Sequence, residues 1–193
     1  MNKNELRKKC REKINGTSPE KFKEWGEKIF FTVSRTEEWK KAKTVFVFVS
    51  LKREADTMPL LIDLLQGGKT PCAPKITGDG TMDAVIINSL SDLQSGKFGI
   101  PEPAESCPSI EKSKIDLAII PCVAADECGN RLGKGGGFYD RFCENTDFKK
   151  FVVCPELFVI KGEKIPAEKH DVSADKVITE KRAISIDIFS DIR

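Results

Sequence analysis

A chain of 193 residues and 21.5 kDa has room for one domain, or one domain with a small appendage. With 39% apolar residues it can bury a core, which excludes disorder over most of its length. Lysine plus arginine number 32 against 30 acids, and a net +2 gives no argument for nucleic acid; the longest apolar runs, VFVFV and LAII, are too short to span a membrane.

The opening MNKNELRKKCREKIN is polar and basic, unlike a signal peptide. Residues 3–15 have helical spacing, with Leu6, Cys10 and Ile14 on one face and Gly16 as the stop. Ser18-Pro19-Glu20 starts a second helix, in which Phe22, Trp25, Ile29 and Phe30 form a core stripe. A short helix near Glu37–Lys41 leads into TVFVFVS (44–50), a strand covered on both faces. Asp56 or Thr57 caps the next helix, with Pro59 near its start and Gly67-Gly68 after its end. Strands follow at TPCAPK, AVIIN, IDLAIIP (115–121), FVVC (151–154) and AISIDI. SGKFGIPEPAESCPS, rich in proline and glycine, is expected to be a loop. Helices alternating with strands predict an α/β domain with a mostly parallel sheet flanked by helices, 1–193 as one unit.

Seven cysteines, an odd number without a C-x-x-C pair, and one histidine make a zinc cage improbable. Reduced thiols in a cytoplasmic protein are the expectation.

The segment GNRLGKGGGFYDRF (Gly129–Phe142) packs glycines between a buried strand and a helix start. Without Cβ atoms, successive N–H groups can turn toward one anion, and Arg131 and Lys134 add positive charge. A P-loop is absent because Lys134 is followed by Gly135; the dinucleotide fingerprint fails because Phe138 stands where its third glycine belongs. Phosphate binding and a purely structural glycine turn both remain open. Asp140 is either a first-turn carboxylate favoured by the helix dipole or, beside a polyphosphate, a ligand of Mg²⁺. Glu54 follows the first strand, where ligands of open sheets bind, though one loop acid is ordinarily just solvated. His170-Asp171 is a surface turn unless Asp171 meets Asp140. Lys3 and Arg7, four apart, can face one ligand, or simply make a solvated basic helix.

The run DLAIIPCVAADECGNRLGKGGGFYDRF resembles the signature of the 5-formyltetrahydrofolate cyclo-ligase family, also named 5,10-methenyltetrahydrofolate synthetases. KNELR, SLKREADT, FGIPEP and HDVSAD match other pieces of that family in order, over nearly the whole chain. The resemblance implies a ribose-5-phosphate-isomerase-like, open Rossmann-like three-layer fold. It implies ATP- and Mg²⁺-dependent conversion of 5-formyltetrahydrofolate to 5,10-methenyltetrahydrofolate, with release of ADP and phosphate.

On the same resemblance, Lys3, Asn4, Glu5, Leu6 and Arg7 belong to an ATP-binding piece. So do Arg131, Leu132, Gly133, Lys134, Gly135, Gly136, Gly137, Phe138 and Tyr139. Lys134, Arg131 and Tyr139 are the expected catalytic residues. Val49 and Glu54 match folate-binding positions, with Lys134 to Phe138 also bordering the folate, and Asp140 and Asp171 match the Mg²⁺ positions. The FGIPEP loop, with Phe98 and Glu102, is implied to border the pterin or nucleotide, with no role assigned to either residue. Phe138 replaces the first tyrosine of the family's Tyr-Tyr-Asp, Cys122 a usual glycine, Ala125 a usual phenylalanine, and Gly136 a lysine of some members. The implied partners are ATP and the folate, without nucleic acid or membrane, for a cytoplasmic monomer. The rival reading is a non-catalytic phosphosugar- or nucleotide-binding regulator on a related fold.

Overall fold

The computed structural model describes residues 1–96 and 99–186. Phe98 of the FGIPEP segment and the end of AISIDI lie outside them.

Helices α1 (Lys3–Asn15), α2 (Pro19–Ser34) and α3 (Glu37–Lys41) precede β1 (Thr44–Val47). Each start has a physical cause. Asn2 and Glu5 form a reciprocal capping box on α1, Pro19 opens α2, and Thr36 accepts from the Trp39 N–H to open α3. Next come α4 (Met58–Gln66), β2 (Thr70–Gly78) and β3 (Thr81–Ile86). The Thr57 hydroxyl does not cap α4; it donates to Phe48 O at 2.8 Å, and Asp56 Oδ1 accepts from the Met58 N–H. The capping residue had two candidates in sequence, and the side-chain bond falls to Asp56.

The expected loop at SGKFGIPEPAESCPS carries regular structure. The pair β4 (Leu93–Ser95) and β5 (Pro101–Pro103) forms a small ribbon, and β6 (Ser109–Ile110) extends the main sheet. Prolines hid this, because they suit only ribbons and edges that can spare an N–H, which is where these strands lie.

The chain continues through β7 (Leu117–Pro121), β8 (Ala124–Asp126), β9 (Arg131–Leu132), α5 (Phe138–Cys143), β10 (Lys149–Val153), β11 (Val159–Ile160), β12 (Lys176–Ile178) and β13 (Ala183–Ser185). Among the described residues the main sheet runs β13-β12-β10-β7-β1-β2-β3-β6. The five strands from β12 to β2 pair in parallel, and the edges at β13, β3 and β6 are antiparallel. The mostly parallel α/β sheet read from the sequence is present.

Its central strands are buried along their length, as a sheet covered on both faces requires. Phe46 of β1 stacks on Phe142 of α5 at 4.4 Å between centroids, while Phe22 and Trp25 of α2 pack around Phe158. From β1 the chain leaves to β2 on one side, and later returns with β7 on the other. The carboxyl ends of β1 and β7 therefore part at a switch point, where open α/β sheets place their ligands.

Candidate active site

Two cavities open at that end of the sheet. The first, about 250 Å³, is largely apolar: Phe48 and Val49 follow β1, Ile76 and Met82 come from the β2–β3 hairpin, and Ile100 precedes β5. The second, about 530 Å³, is polar and lies under the amino end of α1. There Lys3, Arg7, Arg131 and Arg141 meet Asp140, Glu144, Glu168 and Asp171. Gly133 and Gly135 to Gly137 line both cavities, as do Arg131 and Asp140. The glycine segment is thus the wall between them.

The wall is built from both sides. Gly135 and Gly137 have φ of +108° and +67°, which a side chain rarely tolerates, so this path requires glycine there. Arg7 Nε donates to Gly133 O at 2.9 Å from the α1 side. Arg141 donates to Gly136 O at 2.5 Å and to Gly80 O at 2.7 Å from below, with its guanidinium over the Phe138 ring.

Arg131 enters at the end of a β8–β9 hairpin organised by Asp126. That carboxylate is fully buried and accepts from the Cys128, Asn130 and Ile165 N–H groups and from the Asn130 amide. Arg131 is itself 7% exposed. It donates to Pro121 O at 3.1 Å and to Asp140 Oδ1 at 2.7 Å, and lies over the Tyr139 ring. Its Nε has no partner among the described residues. Burial, reinforced by the Glu54 charge, pushes the Tyr139 phenol far above its ordinary value, so it stays a neutral ring against the cavity.

Asp140 and Asp171 are brought together. The Val172 N–H donates to Asp140 Oδ1 at 3.1 Å, and both carboxylates line the polar cavity. Lys3 pairs with Asp171 Oδ2 at 2.5 Å, where the Glu168 N–H also donates. Burial would raise the Asp171 carboxyl, but that N–H and Lys3 outweigh it and hold it below the usual carboxylate range. On each acid, both bonds fall on one oxygen and leave the other without a partner among the described residues. No ready-made cluster of three or more metal-binding side chains occurs among those residues. Mg²⁺ does not need one, since one or two carboxylates with phosphate oxygens and water suffice.

Glu54, in the apolar cavity, is 14% exposed at its side chain. It accepts from the Leu51 N–H and pairs with Lys134 at 2.5 Å across the cavity mouth. Asn4 lines the polar cavity and accepts from Arg7. Glu5 caps α1, and the Leu6 and Leu132 side chains are buried in the core instead of lining either cavity. Cavity residues that sequence reasoning did not single out include Phe48, Ile76, Met82 and Arg141. Phe48, Ile76 and Met82 come from segments distant in sequence and carry no local pattern, whereas Arg141 sits beside Asp140 in the glycine segment and was passed over there.

Cys72, Cys143 and Cys154 are buried, whereas Cys122 lines the apolar cavity. Burial pushes the Cys72 and Cys143 thiols up to about 12, and Cys154 also upward.

The match to known proteins follows this geometry. The model of the 5-formyltetrahydrofolate cyclo-ligase family matches residues 1–180. The chain belongs to the 5-formyltetrahydrofolate cyclo-ligase family. The Escherichia coli K12 protein named 5-formyltetrahydrofolate cyclo-ligase is 31% identical over 176 residues, covering 89% of this chain and 97% of that one. A Caenorhabditis elegans protein named probable 5-formyltetrahydrofolate cyclo-ligase is 30% identical, covering 96% of each. Aquifex aeolicus 5,10-methenyltetrahydrofolate synthetase superposes with a TM-score of 0.84 at 32% identity, over 96% of this chain and 93% of that one. The Mycoplasma pneumoniae synthetase shares the fold at a TM-score of 0.73 and 22% identity, over 93% and 99% of the two chains.

Proposed function

We infer that this chain converts 5-formyltetrahydrofolate to 5,10-methenyltetrahydrofolate at the expense of ATP, as a 5-formyltetrahydrofolate cyclo-ligase. One observation carries the site assignment: a wall of glycines separates an apolar cavity from a charged one. A reduced pterin needs apolar area, and a triphosphate needs N–H groups and cations. Residues without side chains let the formyl oxygen and the γ-phosphorus meet at their common boundary.

The reaction's difficulty is an oxygen that leaves badly. Attack of the formyl oxygen on the γ-phosphorus forms a C–O–P link and releases ADP. N10 then attacks the formyl carbon and gives up its proton to the departing phosphate or to solvent, and the C–O bond breaks with its electrons on phosphate. The products are the methenyl ring, ADP and phosphate. No nucleophilic side chain is needed for either step.

In this reading Lys3, Asn4, Arg7 and the backbone from Gly133 to Gly137 hold the nucleotide. Arg131 and Lys134 carry the charge that builds on the transferring phosphoryl group, which is where catalysis of such transfers chiefly lies. Lys134 reaches it by leaving Glu54, which the folate then faces, with Val49, Phe138 and Tyr139 packing the ring.

Asp140 and Asp171 would hold Mg²⁺ through their open oxygens. Four cationic side chains against four acidic ones leave the polar cavity no surplus to neutralise a triphosphate. A bound divalent ion supplies that surplus, screening the phosphates from the two carboxylates. The same proposal takes 1–193 as one domain acting as a cytoplasmic monomer.

Mixing the protein with MgATP and 5-formyltetrahydrofolate at neutral pH should produce the ultraviolet band of the methenyl product. Folded protein that produces none contradicts the reading. A nucleotide-binding regulator would instead bind ATP and leave the folate free in solution.

A further inference from the structure

The β4–β5 ribbon pairs Gln94 with Glu102 and lies against β2. It places Glu102 in the wall of the apolar cavity, with Ile76, Met82 and Ile100. Glu102 is only 7% exposed, and its Oε1 has no hydrogen-bond partner among the described residues. Its neighbours Pro101 and Pro103 have no N–H to offer. The seat is close-fitting: a Cβ at Gly96 would stand 2.5 Å from Glu102 Cγ. Burying a carboxylate oxygen without a donor among the described residues is costly and calls for an explanation. The ribbon could have presented an apolar side chain here at no such cost.

The cavity's other carboxylates, Glu54 and Asp140, are both hydrogen-bonded. Glu54 has the Leu51 N–H on one oxygen and Lys134 on the other. Of the three, only Glu102 has a buried oxygen without a hydrogen-bond partner among the described residues. We propose that Glu102 binds the donor edge of the pterin, taking hydrogen bonds from its 2-amino group and N3–H and so selecting a 2-amino-4-oxo ring. This rests on the folate reading of the apolar cavity. Two adjacent N–H donors match the two oxygens of one carboxylate, and the ring supplies what the buried Oε1 lacks. The pairing also fixes the rotation of the ring, which decides whether the N5-formyl group faces the glycine wall.

The test is a binding titration of the full chain without nucleotide. Parent and Glu102→Gln proteins are each titrated with 5-formyltetrahydrofolate and with its 2-desamino-2-methyl analogue. The amide keeps the shape but turns a donor toward donors. Glu102→Gln should bind 5-formyltetrahydrofolate roughly 10- to 100-fold more weakly, the loss expected for a hydrogen bond to a charged group. For the analogue, the two proteins should differ by no more than about threefold, because the partner group is gone. Equal affinity of both proteins for 5-formyltetrahydrofolate overturns the proposal, as does an equal loss for both ligands, which would mark a structural role. Should Glu102→Gln fail to fold, the parent alone decides: it must prefer 5-formyltetrahydrofolate to the analogue, and equal binding overturns the assignment. A parent protein that binds neither ligand overturns the folate reading itself.

Discussion

On one face of the Gly133–Gly137 wall stand Phe48, Ile76, Met82 and Ile100; on the other stand Lys3, Arg7, Arg141 and the acids beside them. The first cavity has area and few polar groups, so what it binds must be ring-like and positioned by one or two directional bonds. The second has paired charges, so what it binds must re-pair them. The contrast teaches why the wall is glycine. A side chain at its four glycines would meet Arg131, Arg7, Phe138 or Arg141, whereas Lys134 turns its own toward Glu54 at the mouth of the apolar cavity. It also separates residues by consequence, because damage on one face should leave binding on the other face intact.

The largest expected effect comes from Asp140→Asn. It removes a charge from the shared boundary and the partner of a buried arginine. Turnover should fall roughly 100- to 1,000-fold, the scale of losing one charged group at a phosphoryl transfer site. Folate affinity should stay near the parent's, while the melting temperature should fall because the buried Arg131 loses its charged partner; a large loss of folate binding would break the division between the two faces. An intermediate effect is expected from Met82→Ala, which enlarges the apolar cavity alone. The folate KM should rise about 10-fold, as for a missing apolar contact, with the ATP KM unchanged. A matching rise in the ATP KM would show that the cavities are not separate.

Smallest for turnover is Glu156→Gln, remote from both faces. Glu156 pairs with Arg182 and Lys161. Burial would raise its carboxyl, but bonds from Arg182, Lys161 and Thr179 dominate and lower it to about 2. A lowered carboxyl stabilises the fold above its unfolded value near 4.5, and that contribution fades as pH falls toward 2. The variant should lose no more than about 2 kcal/mol at neutral pH, since its partners are half exposed. The difference from the parent should vanish in melts near pH 2, with kcat unchanged throughout. A persistent difference there would assign the effect to packing.

The sheet was legible in the sequence because TVFVFVS, IDLAIIP and FVVC are continuous apolar runs that admit little but buried strands. The glycine run stood out in the sequence as an anion nest or a structural turn; that it divides two cavities, with Gly135 and Gly137 at positive φ, came only from the fold. The resemblance, not periodicity, pointed to Asp171, whose nearness to Asp140 depends on the backbone at Val172. The β4–β5 ribbon was read as a loop, since prolines signal breaks while saying nothing of which edges can spare an N–H. The resemblance set Glu102 at the border of the pterin or nucleotide, but no role could be read for it from the sequence. A lone acid between two prolines looks solvated until the fold buries it. The apolar cavity could not be read locally at all, since Phe48, Met82 and Ile100 meet only through tertiary packing.

The division of labour between the two faces is tested most directly by a crystal structure with MgADP and 5-formyltetrahydrofolate bound together. The account predicts the diphosphate against Arg7 and the glycine N–H groups, Mg²⁺ on Asp140 and Asp171, and the pterin among Phe48, Ile76 and Met82 on the opposite face. Both ligands on one face of Gly133–Gly137, or the pterin in the charged cavity, would contradict it.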